Sequence, residues 1–147
     1  VLSEAYIKGK RVEDTDTGDG WETEVKAVCQ DEDTLIPGPS FRNGQLDPGE
    51  DFNNSGRLEA GNIATVAPAN ATTDENGFVL VTVTYPQDHA EYVIVVLEAR
   101  ASVQGTEYAR ASRFILPISA DDMDDLGVTP PGPESPFGIS ENCADPF

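Results

Sequence analysis

The residues most able to do chemistry lie between Asp31 and Asn62, in the stretch DEDTLIPGPSFRNGQLDPGEDFNNSGRLEAGN. Its second half follows a calcium-loop template. Asp51, Asn53 and Ser55 supply side-chain oxygens at alternate positions, Gly56 falls at the sharp turn, and Arg57 offers its carbonyl. Leu58 is the apolar anchor, and Glu59 and Asn62 take the ninth and twelfth positions. Calcium needs about six to eight hard oxygens, which alternate residues of a turning loop can aim at one centre. The departure is Asn62, where such loops carry a bidentate Glu.

The first half repeats the theme. Asn43, Gly44, Gln45, Leu46 and Asp47 are followed by Glu50, and alignment on Gly44 puts Asp47 ninth and Glu50 twelfth. Pro39 and Phe41 would occupy the first and third positions and cannot ligate, so Asp31 and Asp33 are expected to fold back in their place. The expected ligand set is therefore Asp31, Asp33, Asn43, Gln45, Asp47, Glu50, Asp51, Asn53, Ser55, Arg57, Glu59 and Asn62, in two overlapping loops that meet at Glu50–Asp51. The alternative is an acidic, Gly-rich loop with no ion. The return of the N/S-G-x-L-D/E unit after twelve residues favours calcium.

Composition narrows the partners. Twenty-seven Asp and Glu against nine Lys and Arg give a net charge of −18. Phosphate backbones and anionic lipid surfaces both call for the opposite sign, so neither nucleic acid nor membrane docking is expected. No apolar run reaches transmembrane length. With 147 residues the chain fits one domain with a tail. The chain starts at Val1 without a signal-like segment and reads as a mature or excised piece with neighbouring domains. Cys29 and Cys143 lack the spacing of a zinc site, which leaves a disulfide or two free thiols. The disulfide is the better reading and implies an oxidising, extracellular, cell-surface or periplasmic setting.

The elements that must position these residues read as strands. Residues 5–12 form a short polar strand, expected at an edge. Asp14, Asp16 and Asp19 crowd the following turn and offer a weaker ion site. From Trp21 to Cys29 the chain alternates, with Trp21, Thr23, Val25, Ala27 and Cys29 on one face. Residues 63–68 form a short strand stopped by Pro68. Asn76-Gly77 signals a hairpin before a second β-prone run, Phe78–Tyr85. Tyr92–Val103 is a long strand with Val93, Val95, Leu97, Ala99, Ala101 and Val103 facing inward. After a turn at Gln104-Gly105-Thr106, Glu107–Leu116 returns, and its mixed faces predict a β-bulge. No helical period stands out. These features predict an all-β antiparallel sandwich over 1–117, with 31–62 inserted. Residues 118–147 read as a Pro- and Asp-rich tail tethered by the disulfide.

Two segments carry a family resemblance. Thr73-Asp74-Glu75-Asn76-Gly77-Phe78 leads into Val79, Val81 and Val83, and Tyr92-Val93-Ile94-Val95 extends to Ala99. Together they resemble a bacterial immunoglobulin-like domain of the invasin/intimin kind over roughly residues 60–117. The inserted loop resembles the calcium loops of dockerin-like and thrombospondin-repeat-like segments, without their helices. The resemblance implies an immunoglobulin-like sandwich serving as a spacer or adhesive unit of a surface protein, with a protein or glycan ligand. A carbohydrate-binding module is the alternative, with Trp21, Tyr85, Tyr92 and Tyr108 as stacking residues. His89, the sole histidine, is expected to be an exposed turn residue. No nucleophile motif accompanies it, so an enzyme is not expected.

Overall fold

The computed structural model describes residues 1–147 apart from Asp19 and Gln104, and apart from the side chain of Val103. The parts of the expected acidic turn, the 104–106 turn and the inward face that fall on these residues lie outside the description.

Among the described residues six strands form: β1 (Leu2–Glu13), β2 (Trp21–Gln30), β3 (Thr65–Ala67), β4 (Thr82–Thr84), β5 (Val93–Val103) and β6 (Thr106–Ile115). All pairings are antiparallel, in a four-stranded sheet of order β2-β1-β5-β6 and a separate β3–β4 pair. The only helical turns among the described residues are short 3-10 segments at Glu32–Thr34, Gln87–His89 and Ala120–Asp122. None is long and apolar enough to cross a membrane.

β1 is a central strand, not the expected polar edge, and is buried on both faces from Ala5 to Gly9. Its cations misled the reading because their partners are remote in sequence. Lys8 donates through Nζ to the Asp145 carbonyl. Arg11 donates to Thr23, to Glu91 and to the Ala90 carbonyl, and its guanidinium stacks 4.6 Å from the Tyr92 ring centroid. Along one side β1 pairs with β2 from Ala5 to Glu13. The register shifts where Lys8 faces Ala27 but Gly9 faces Val25, so Lys26 is an extra residue on β2. That bulge breaks the expected inward face, and Val25 is half exposed while Cys29 is buried.

On its other side β1 pairs with β5 only from Leu2 to Tyr6. The tail takes over from there. Gly9 donates to Gly138 O (3.0 Å), Ser135 donates to Gly9 O (2.9 Å), and Arg11 donates to Pro133 O (2.8 Å). A disulfide joins Cys29 to Cys143. The tail, expected to be tethered by the disulfide and to run back along the body, is laid into the sheet, with Phe137 in the core 4.9 Å from the Tyr6 ring.

The core holds Ala5, Tyr6, Ile7, Tyr92, Val93, Ile94, Val95 and Leu116 from the sheet, with Ala60 and Ala64 from the loop side. Burial ends where pairing with β1 ends. Tyr92 to Val95 are buried, whereas β5 from Ala99 to Ser102 and β6 up to Arg113 are exposed. Of the expected inward face, Leu97 is half-buried and Ala99 and Ala101 are exposed. No bulge interrupts β6, whose register runs unbroken from Ile94–Ile115 to Val103–Thr106. With both faces in solvent, the mixed pattern had nothing to reconcile.

The run Phe78–Tyr85 is strand only at Thr82–Thr84, because β3 offers just three residues to pair with. Phe78 and Leu80 are exposed (73% and 88%). Upstream, Asp74 accepts from Asn76 and Phe78 N–H (2.9 Å each), and Gly77, at φ +84°, closes the expected turn.

Candidate metal centre

β2 delivers the chain into the loop already tethered. Asp31 N donates to Glu4 O of β1 (3.0 Å), and Asp31 Oδ1 accepts from Asp33 N (3.1 Å), starting the 3-10 turn. The next two acids then hold the two halves of the loop. Asp33 takes the first half, accepting from Asn43 N at Oδ1 (3.0 Å) and Gly44 N at Oδ2 (2.9 Å). Glu32 takes the second half, accepting from Phe52 N at Oε1 (3.0 Å) and Glu59 N at Oε2 (3.1 Å). Glu32 N also donates to Glu59 O (2.6 Å).

Inside the second half, Asp51 Oδ2 accepts from Gly56 N (3.1 Å), with Gly56 at φ +75°, a conformation that favours glycine. Asn53 Oδ1 accepts from Ser55 N (3.0 Å), and Asn53 Nδ2 donates to Glu59 Oε2 (2.6 Å). Ser55 Oγ faces the Arg57 carbonyl and N–H, both at 3.2 Å. In the first half, Asn43 accepts from Gln45 N (2.7 Å) and donates to Asp47 Oδ2 (2.7 Å). Glu50 Oε2 accepts from Asp47 N (2.8 Å). An Asp carboxylate therefore receives the turning Gly N–H in both halves, Asp33 for Gly44 and Asp51 for Gly56. Asp33 reaches across the Pro-Gly-Pro insertion to do so.

The twelve expected residues divide by burial. Asp31, Asp33, Glu50, Asn53 and Glu59 are buried; Asp47, Asp51 and Ser55 are half-buried; Asn43, Gln45, Arg57 and Asn62 are exposed. Asn62, the twelfth position of the second half, thus lies at the surface. Glu32 was missed. A strict alternation of ligand oxygens skips it, yet its place between two acids before a long loop is a signal that it could fasten backbone.

The electrostatics follow from this burial. Burial pushes the Asp31 carboxyl up to about 7, against the opposing hydrogen bond from Asp33 N–H. Burial also raises Glu32, partly offset by the Glu59 N–H it accepts, and raises Glu59, which Asn53 partly offsets. Below them the Tyr6 hydroxyl is raised by its own burial and by Glu32, Glu59 and Asp31. No ion pair among the described residues involves Asp31, Glu32, Asp33, Glu50, Asp51 or Glu59. Nor do three or more His, Cys, Asp or Glu side chains among them converge as a ready-made metal group. What the loop offers is a mixed set of carboxylate, amide, hydroxyl and carbonyl oxygens. That donor chemistry fits a hard divalent cation better than zinc.

The other candidates behave as structure. Asp14 accepts from Asp16 N, Thr17 N and Thr17 Oγ1, which holds its carboxyl below the usual range, the Thr17 hydroxyl most of all. Asp122 accepts from Gln87 (2.7 Å), and Asp125 accepts from Gly127 N (2.7 Å). His89 is half-buried rather than exposed, 2.7 Å from Asp88 Oδ1 and edge-on to Phe137. Tyr92 is fully buried and donates to Gly132 O (3.0 Å), out of reach of a sugar ring, whereas Tyr108 is 61% exposed. No protein-family model, curated protein or solved structure matches this chain.

Proposed function

We propose that this chain is a calcium-stabilised extracellular module, an immunoglobulin-like spacer or adhesive unit of a larger secreted or surface bacterial protein. Calcium organises the 31–62 loop, and the strands carry that loop and whatever protein or glycan ligand the module presents. One observation carries the reading: five carboxylates, Asp31, Glu32, Asp33, Glu50 and Glu59, are each at most 3% exposed. Among the described residues none of the five is in a direct ion pair, and buried carboxylates ordinarily pair or coordinate a metal. The disulfide supports the extracellular part of the reading, because such bonds persist in oxidising compartments.

In the liganded loop, Asp51, Asn53, Ser55, Glu59 and Glu50 would supply oxygens, and the Arg57 carbonyl one more. The ion contributes positive charge that relieves the acids' mutual repulsion. Extracellular modules of this kind bind calcium at about 10⁻⁴–10⁻³ M. Calorimetric titration with calcium and thermal melts with and without chelator test the proposal. Binding in that range, with a higher melting temperature in calcium, is expected. No heat of binding together with identical melts would refute it.

A further inference from the structure

Among the described residues, the buried side-chain oxygens without a hydrogen-bond partner are two, Glu50 Oε1 and Asp51 Oδ1, and they belong to neighbouring residues. Glu50 is 0% exposed, and its other oxygen is engaged by Asp47 N. The other oxygen of Asp51 is engaged by Gly56 N. Each carboxylate therefore spends one oxygen on shaping the loop and keeps one free. Glu32 and Asp33 differ, because both oxygens of each receive backbone N–H groups. Resting on the calcium reading above, we infer that the cation is held by the adjacent pair Glu50 Oε1 and Asp51 Oδ1. Glu32 and Asp33 position the loop without touching the ion.

The pair also answers the defect at Asn62. The carboxylate missing from the twelfth position, now an exposed amide, is supplied by the residue immediately before the first position. This is a different arrangement from two overlapping twelve-residue loops with a separate ligand set each. A hard cation suits it, since calcium accepts irregular carboxylate placement around flexible coordination.

The test uses the full oxidised chain and four isosteric variants: Glu50→Gln, Asp51→Asn, Glu32→Gln and Asp33→Asn. Each is titrated with calcium and melted in chelator. For Glu50→Gln and Asp51→Asn, calcium affinity should fall about tenfold or more, while the melting temperature in chelator stays level or rises. The amide oxygen of either variant keeps the bond to Asp47 or Gly56 N–H, so the ion-free loop loses no acceptor. For Glu32→Gln and Asp33→Asn, the melting temperature in chelator should fall, because an amide nitrogen replaces an acceptor for a backbone N–H. Wild-type affinity in Glu50→Gln or Asp51→Asn overturns the assignment while leaving calcium binding standing. Failure of the wild-type chain to bind calcium overturns the functional proposal itself.

Discussion

Asp31, Glu32 and Glu59 are harder to ionise in the fold than in the open chain, and this fixes the sign of a pH effect. A carboxyl raised in the folded state favours folding while it is protonated. That advantage is complete below the ordinary value, 3.8 for Asp31, and is lost as pH rises through about 7. In chelator, the melting temperature should therefore be lower at pH 8 than at pH 5, and saturating calcium should shrink or reverse the gap. Equal melts in chelator would show that these acids carry no such strain. Asp33→Ala tests the loop fastening directly. It leaves Asn43 and Gly44 N–H without their acceptor and should cost about 1–3 kcal/mol by denaturant unfolding. At this scale the sequence announced the oxygens but not their allegiance. Which carboxylates serve backbone N–H groups and which stay free depends on loop closure over ten to twenty-seven residues, as with Asp33 to Asn43 and Glu32 to Glu59. Residue spacing does not carry that information.

Elements were legible wherever alternation met a partner. β2, β5 and β6 fall close to their expected limits, as does the Asn76-Gly77 turn. Two elements were misread, for opposite reasons. Residues 78–85 have the propensity of a strand but almost no partner, and β-propensity counts only when there is a sheet to fit. β1 looked solvated because Lys8 and Arg11 do not reveal that Asp145 and Ala90 will receive them. Gly9 shows how tightly β1 is held at its bulge, since a Cβ there would run into the Glu24 carbonyl. Gly9→Ala should therefore destabilise the fold by about 1–3 kcal/mol. The outer parts of β5 and β6 predict the reverse. Tyr108→Ala, on a hairpin exposed on both faces, should change stability by less than about 0.5 kcal/mol. Parallel denaturation curves for the two variants separate the sheet's centre from its projecting end.

For the whole molecule, the disulfide and the tail close what the strands leave open. Cys29 is the penultimate residue of β2, Cys143 lies 114 residues on, and between them the tail pairs with β1. The double variant Cys29→Ser/Cys143→Ser should lose about 2–5 kcal/mol. The loss should appear as a lower denaturant midpoint under non-reducing conditions.

That single covalent link also sorts the chain by what an external force can reach. Tension applied to Val1 and Phe147 passes along β1 and β2 to Cys29, jumps to Cys143 and leaves through the last few residues. Everything between, including the acidic loop and the projecting hairpin, sits in a closed ring that the covalent path bypasses. Stretched to its limit, the oxidised chain would extend by roughly 110 Å, and the reduced chain by roughly 500 Å. A module joined in series with others would thus yield only its first two strands and last few residues to a pull, the acidic loop staying inside the ring.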